Sequence, residues 1–174
     1  MENKKYKLTS ESIEVKGKTL YRIEALKDFG EIKKGDKGGF IESENNLEHE
    51  GDAWVSDYAC VYDNACVFDN ACVYNNASVS GYAQVYGNAR VYGNTNVCGD
   101  AEISTGSDYI VFKNWWSSGM YFTWTRSNNM WSVGCFYGTG EELIKKAYKD
   151  SELSGREYER IVKYVEEIRK DNGK

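Results

Sequence analysis

The sequence predicts a mainly β protein built around a parallel β-helix of about three coils. Three observations support this fold class: residues 52–106 repeat every six residues without an insertion, each repeat has two small or apolar positions at fixed places, and each ends in residues that favour sharp corners. We therefore expect an N-terminal β cap with a first incomplete coil over residues 1–51, the β-helix over 52–106, and a small α+β region over 107–174.

Two positions of each repeat are expected to point inward, because residues two apart in a strand share a face. The first is alanine in eight of the nine repeats, with Thr95 as the exception, and the second is valine in eight repeats, with Ile103 in the ninth. Three repeats make one coil, so equivalent side chains are three repeats apart. The predicted interior columns are therefore Val55, Val73 and Val91; Val61, Val79 and Val97; and Val67, Val85 and Ile103.

The residues between the short strands are drawn mostly from Asp, Asn, Gly and Tyr, as in Asp63–Asn64 and Gly87–Asn88. Asp, Asn and Gly tolerate the positive φ that a corner needs. Asp57, Asp63 and Asp69 fall on three different corners, so they are not expected to share a calcium ion. A stack of β-hairpins is the alternative fold, and it would require antiparallel pairing with two-residue turns.

The segment before the repeat is expected to cap the coils. Ile13–Val15 and Leu20–Ile23 flank Lys16–Gly17–Lys18 and predict a hairpin. Phe40 and Ile41 then begin the first incomplete coil.

The segment after the repeat predicts a three-stranded antiparallel meander followed by two amphipathic helices. The predicted strands are Tyr109–Lys113, Met120–Thr125 and Met130–Phe136. Cys135 would lie in the third strand and belong to the core. Thr139 with Glu142, and Ser154 with Glu157, form the capping-box pattern that precedes a helix.

Within the repeat, a valine is followed four residues later by a small residue, as in Val61 to Ala65 and Val67 to Ala71. This pattern resembles the hexapeptide-repeat family, and the resemblance implies a left-handed β-helix. The flanking segments GDKGGFIESENNLEHEGDAWV and FTWTRSNNMWSVGCFYGTGEELIKKAY are similar to those of hexapeptide proteins of bacteria and their phages, which are labelled transferases of the YdcK kind on fold alone.

The charge distribution argues against a nucleic-acid partner. The net charge is −5, and residues 52–106 hold one basic and six acidic side chains, so the basic patch of a nucleic-acid-binding protein is missing. The segment 1–20 is too charged for a signal peptide, and no apolar stretch is long enough to cross a membrane. We expect a protein of the bacterial cytoplasm that binds neither nucleic acid nor membrane.

The candidate catalytic residues are few. The resemblance to hexapeptide acyltransferases, which use acyl-CoA, makes His49 the candidate base, but counting back six from Val55 predicts an inward, structural position for it. The zinc-dependent enzymes of this fold need three histidines, and the chain has one. Cys60, Cys66 and Cys72 are expected on three different sides as reduced thiols. No metal and no cofactor are expected.

The outward positions supply the candidate binding surface. Large and aromatic side chains stack there, and such side chains dominate protein interfaces. The candidate residues are Trp54, Tyr74, Arg90, Tyr92, Phe68 and Tyr86 on the coils, and Trp115 and Trp116 in the tail. The leading hypothesis is a non-catalytic protein-binding or assembly module that binds a protein partner or itself as a dimer or trimer, one form being a phage-encoded inhibitor of a host defence component. An acyltransferase and a small-ligand binder at a subunit interface remain alternatives.

Overall fold

The computed structural model describes residues 4–171 and confirms the mainly β architecture. A parallel β-solenoid of about four turns lies between an N-terminal antiparallel hairpin and a C-terminal sheet that carries two helices. The valine and alanine side chains of the repeat form the interior of the solenoid and are almost completely buried. This arrangement leaves the outward side chains of the coils as the surface on which a site can form.

The predicted N-terminal hairpin is confirmed. Strand β1 (Tyr6–Val15) pairs antiparallel with β2 (Lys18–Ala25), and the turn residues between them, Lys16 and Gly17, have positive φ. Strand β3 (Lys37–Ile41) pairs antiparallel with β2 and parallel with the first coil. The hairpin therefore continues one side of the solenoid as an ordinary sheet.

Nine two-residue strands form the solenoid, one per repeat. They are β4 (Trp54–Val55), β5 (Cys60–Val61), β6 (Cys66–Val67), β7 (Cys72–Val73), β8 (Ser78–Val79), β9 (Gln84–Val85), β10 (Arg90–Val91), β11 (Asn96–Val97) and β12 (Glu102–Ile103). Each pairs in parallel with the strand three repeats away, giving the sheets β4–β7–β10, β6–β9–β12 and β3–β5–β8–β11, the last continuing into β2 and β1. The three predicted interior columns are confirmed.

The solenoid has about one turn more than the three coils of the repeat. Ile41 pairs with Val61, and Leu47 bridges to Val67, so these two residues add a level to two of the three sides. Six residues separate Ile41 from Leu47, but eight separate Leu47 from Val55, where the repeat would place six. The first coil therefore contains a two-residue insertion at the corner before β4.

The corner aspartates link successive coils. Asp57, Asp63 and Asp69 have φ near 60°, and each carboxylate accepts a hydrogen bond from the backbone N–H of the equivalent residue one coil later. The donors are Asn75 to Asp57 at 2.9 Å, Gly81 to Asp63 at 3.1 Å and Gly87 to Asp69 at 3.1 Å. The aspartates therefore have a structural role in stacking the coils.

Gly81→Ala is expected to destabilise the protein more than Gly93→Ala, which is its matched control. Both residues have φ near +71°, so alanine at either position costs about 1 kcal/mol of backbone strain. At Gly81 the added Cβ would also lie 2.9 Å from the backbone N and O of Gly99, whereas at Gly93 it meets open space. Urea denaturation should show a loss of about 2–3 kcal/mol at Gly81, and equal losses would contradict the close stacking of the corners.

The C-terminal sheet has four antiparallel strands rather than the predicted three. They are β13 (Tyr109–Lys113), β14 (Tyr121–Thr125), β15 (Met130–Val133) and β16 (Phe136–Gly138), in that order. The predicted strand Met130–Phe136 is wrong because Gly134 adopts a φ of 56° and turns the chain back on itself. Cys135 lies in this turn and is exposed, so its predicted core position is also wrong.

Two helices, α1 (Gly140–Asp150) and α2 (Glu152–Asp171), cover one face of this sheet. The Thr139 and Glu142 capping box is confirmed. The second one is wrong, because α2 begins at Glu152 and Ser154 lies buried inside its first turn, where its N–H donates to Ser151 Oγ at 3.0 Å. The shared core consists of Phe122, Trp124, Trp131, Leu143, Ala147, Tyr158, Val162 and Val165.

The other side of the sheet closes the last coil of the solenoid. On each of the three sides of the solenoid, the last strand has backbone groups that point along the solenoid axis and have no further strand to pair with. Side chains from the C-terminal region bond to these groups. The contacts are Asn96 N to Thr123 Oγ1 (3.0 Å), Ser132 Oγ to Asn96 O (2.7 Å), Glu102 N to Ser127 Oγ (2.8 Å) and Tyr109 Oη to Arg90 O (2.9 Å). These bonds satisfy backbone groups that a further coil would otherwise pair.

Neither α1 nor α2 is long and apolar enough to cross a membrane, and no other α-helix occurs within residues 4–171.

Candidate functional site

The candidate site is a groove of about 390 Å³ on the outer side of the solenoid formed by β4, β7 and β10. We call it the side groove. Its principal lining residues are Phe29, Ile32, Asp52, Trp54, Tyr74 and Arg90. Phe29 and Ile32 belong to the loop between β2 and β3, so the N-terminal cap supplies one wall and the coils supply the other.

Four of the predicted binding residues come together at this side. Trp54, Tyr74 and Arg90 line the groove, and Tyr92 stacks on Tyr74 with ring centroids 5.3 Å apart and planes 14° apart. The stacking follows from the repeat, since Tyr74 and Tyr92 occupy equivalent positions on successive coils. Tyr92 is 51% exposed, so this aromatic pair reaches the molecular surface.

Trp54 is buried, although its place in the repeat predicts an exposed position. It is 4% exposed, and its ring packs edge-on against Phe29 at 5.3 Å and against Tyr6 at 6.4 Å. The side chain points out of the coil but lies under the N-terminal cap. It therefore forms a rigid apolar floor beside Tyr74 rather than a free contact surface.

The rim of the side groove carries charges of both signs. Glu31 and Asp52 are exposed at the capped end, and the guanidinium of Arg90 is exposed on the third coil. None of these three side chains belongs to an ion pair within residues 4–171. An incoming group could pair with them without breaking an existing salt bridge.

The remaining predicted binding residues lie elsewhere. Phe68 and Tyr86 stack at 5.2 Å on the neighbouring side of the solenoid. Trp115 is 75% exposed in the loop between β13 and β14, while the ring of the adjacent Trp116 packs against Tyr158 at 5.1 Å. The eight predicted residues therefore form separate patches and not one surface.

His49 does not occupy the predicted inward slot. Leu47 fills that slot, and the two-residue insertion places His49 in the corner, stacked on Tyr6 at 4.3 Å. Its Nδ1 accepts a hydrogen bond from Lys5 N at 3.2 Å, and its buried Nε2 lies 3.7 Å from the carboxylate of Glu44. Neither ring nitrogen is presented to an acceptor substrate in this arrangement.

Lys5 is a buried cation that was not among the predicted site residues. Its side chain is completely buried, and Nζ donates to the carbonyls of Glu50, Gly51 and Ala53 at 2.9–3.3 Å. Burial lowers the pKa of Lys5 to about 8, although the nearby carboxylate of Asp52 opposes the shift. Its position depends on the hairpin folding back over the inserted corner, which no local sequence pattern indicates.

Four of the five cysteine thiols are partly buried and less acidic than an exposed thiol. All five are free thiols, and burial raises the pKa of Cys60, Cys66, Cys72 and Cys98. A raised pKa disfavours the reactive thiolate. Residues 4–171 contain no group of three metal-ligating side chains.

A larger cleft of about 750 Å³ lies between the C-terminal sheet and the helices, with Cys135, Leu143 and Tyr158 among its lining residues. Its buried polar groups are already paired, since Asn114 Nδ2 donates to Tyr158 Oη at 3.1 Å and Asn114 Oδ1 accepts from Ser117 N at 3.0 Å. Lys146 and Asp150 also line this cleft, so exposed charge does not distinguish the two sites. The side groove differs in being lined by Trp54, Tyr74 and Arg90, which are predicted binding residues.

The side groove combines a rigid aromatic floor with charged groups at its rim, an arrangement that suits binding. No family model matches the sequence, and no curated protein matches it.

Proposed function

We propose that this chain is a non-catalytic protein-binding module whose side groove holds an apolar side chain of a partner protein. The observation that carries the proposal is the partly exposed Tyr74–Tyr92 stack beside the buried Trp54. Tyrosine, tryptophan and arginine are the side chains most enriched at the energetic centres of interfaces, and all three types meet here. A phage-encoded inhibitor that occupies a host defence component is one concrete form of this function.

The charges of the groove indicate the chemistry of the partner segment. Glu31 and Asp52 lie at the capped end, and the coils around them carry a large acidic excess. A basic side chain of the partner would be attracted to this end, while its apolar neighbour enters the groove between Phe29 and Tyr74. We therefore expect the preferred segment to carry an aromatic or aliphatic residue next to lysine or arginine.

The solenoid is a suitable scaffold for this purpose because its strands hold the groove in place before binding. The backbone of β4, β7 and β10 is bonded through parallel ladders, and Trp54 is wedged between the coil and the cap. A preformed site loses little conformational entropy when it binds. Affinity would then depend mainly on the few side chains that line the groove.

Tyr74→Ala is expected to weaken binding at least about tenfold, which is about 1.4 kcal/mol. Peptides selected from a random library on the wild-type protein provide the probe, and titration calorimetry with a synthetic selected peptide provides the measurement. Phe68→Ala is the matched control, because Phe68 occupies the equivalent stacked position on the neighbouring side and is also half-buried. It should leave the affinity unchanged.

Two results would contradict the proposal. If the selected peptides lacked an apolar residue next to a basic one, the expected attraction between the partner and the carboxylates of the groove would be wrong. Equal affinity losses in Tyr74→Ala and Phe68→Ala, with equal thermal stabilities, would show that the side groove is not the contact surface.

A further inference from the structure

The C-terminal sheet has two edge strands, β13 and β16, and β13 is the longer of them. In the order β13–β14–β15–β16, β13 pairs only with β14. Two backbone hydrogen bonds flank this pairing, from Arg126 N to Asp108 O and from Asn114 N to Met120 O. Because hydrogen-bonded pairs alternate along an antiparallel strand, these two bonds determine which residues of β13 bond to β14. Ile110 and Phe112 bond inward, so the backbone groups of Tyr109, Val111 and Lys113 point away from the sheet.

This edge is not covered within residues 4–171. The N–H and C=O groups of Val111 and Lys113 make no hydrogen bond there. A groove of about 550 Å³ runs beside Tyr109–Val111 and separates the strand from the solenoid corner at 93–95. The edge therefore has both unpaired backbone groups and space beside them.

Soluble proteins usually protect such an edge with proline, a central charge or a covering segment. The chain contains no proline, and the centre of β13 is Ile110–Val111–Phe112. Its only charged residue, Lys113, is at the end of the strand. An unprotected edge of β-branched and aromatic residues favours pairing with another strand.

We infer that two copies of this chain dimerise by antiparallel pairing of their β13 strands about a two-fold axis at Val111. This register places the Val111 side chains of the two copies opposite each other and joins the two sheets into one. The outward residues of each strand would exchange roughly six backbone hydrogen bonds across the axis. The interface is isologous, as the two-fold symmetry requires.

The strand is complementary to itself in this register. Tyr109 of each copy lies opposite Lys113 of the other, so no like charges face each other, and a lysine next to an aromatic ring is favourable. Lys113 already lies 5.7 Å from the ring of Tyr121 in its own sheet. Ile110 and Phe112 pack against the helix-covered core, so pairing also extends that apolar face across the axis.

The dimer and the function proposed above are tested at different residues. Val111 does not line the side groove, and Tyr74 does not line the groove beside β13, although its stacking partner Tyr92 does. Loss of peptide binding in Tyr74→Ala with an unchanged dimer, or loss of the dimer with unchanged peptide binding, would separate the two proposals experimentally.

Val111→Lys and Val111→Glu test the inference by placing like charges opposite each other on the axis. Sedimentation equilibrium should give a dimer for the wild-type chain, twice its mass of 19.8 kDa. Each variant alone should have a dimer dissociation constant at least about tenfold higher. An equimolar mixture of the two should recover the dimer, because lysine then faces glutamate.

Val111→Thr is the control, since threonine keeps the β-branched shape and the outward N–H, and it should remain dimeric. Far-UV circular dichroism confirms that the charged variants are folded. A monomeric wild-type chain, a trimer, or charged variants that dimerise as well as the wild type would overturn the inference. So would a mixture of folded variants that stays monomeric.

Discussion

Val79→Asp is expected to unfold the solenoid at neutral pH. Val79 is completely buried and pairs with Val61 on one side and Val97 on the other, so it is the centre of an interior column. The substitution loses about 1.5–3 kcal/mol of apolar burial, and an unpaired buried carboxylate costs several kcal/mol more. Together these losses are comparable to the total stability of roughly 5–15 kcal/mol expected of a domain.

Ser78→Asp is the matched control, because Ser78 is the other residue of the same strand and its side chain points outward. Thermal melting followed by circular dichroism should show a cooperative transition for Ser78→Asp and none for Val79→Asp. If both variants melted within a few degrees of the wild type, the valine columns would not be the source of stability.

Raising the pH from about 8 to about 10 is expected to stabilise the wild-type protein relative to a Lys5→Met variant. The pKa of Lys5 is lowered to about 8 in the folded state by burial, against an ordinary value of 10.5. Between these two values the unfolded chain binds one more proton than the folded chain, so the free energy of unfolding rises with pH. The predicted gain is about 2 kcal/mol over this range.

The measurement is urea denaturation of both proteins at several pH values between 7 and 10, with the difference in unfolding free energy plotted against pH. Lys7→Met is the control, because Lys7 is exposed in β1, two residues after Lys5. A difference that stays constant over the range would show that Lys5 is hydrated. A difference of the opposite slope would show that the ammonium is stabilised by its carbonyl partners beyond the cost of burial.

The central fold could be predicted because its determinants repeat locally. A valine two residues after an alanine, followed by a corner of Asp, Asn, Gly or Tyr, defines each side of the coil, and the three-repeat spacing places Val55, Val73 and Val91 in one column. The same spacing aligned Tyr74 with Tyr92. These predictions depend only on the six-residue period and not on the structure of the caps.

The caps could not be predicted in the same way, since their contacts join residues that are distant in sequence. The repeat predicts an outward, exposed position for Trp54, but the loop containing Phe29 covers its side chain. The six-residue period predicts an inward position for His49, but the two-residue insertion after Leu47 shifts the register and places His49 in a corner. No local sequence pattern indicates that Lys5 is buried, although its side chain is the most deeply buried charge within residues 4–171.

The C-terminal region was predicted in type but not in its boundaries. The alternation of side chains over residues 130–136 predicts one continuous strand. The structure instead has a turn at Gly134, which alternation alone does not reveal. Ser154 and Glu157 matched a capping pattern, but Ser151 supplies the oxygen that accepts the first-turn N–H. In both cases several positions satisfied the same local rule, and tertiary packing selected among them.

Closure of both solenoid ends determines how this molecule can assemble. At the first coil, Tyr6 Oη donates to Leu47 O at 2.7 Å and Lys5 Nζ donates to Ala53 O at 2.9 Å, while β3 covers the third side. The last coil is closed by the C-terminal sheet. A stack of rungs that is sealed at top and bottom cannot template filament growth along its axis, as fibril-forming solenoids do. Copies of this chain are therefore not expected to stack coil on coil, and assembly through strand pairing would have to use the strands of the caps, such as β13.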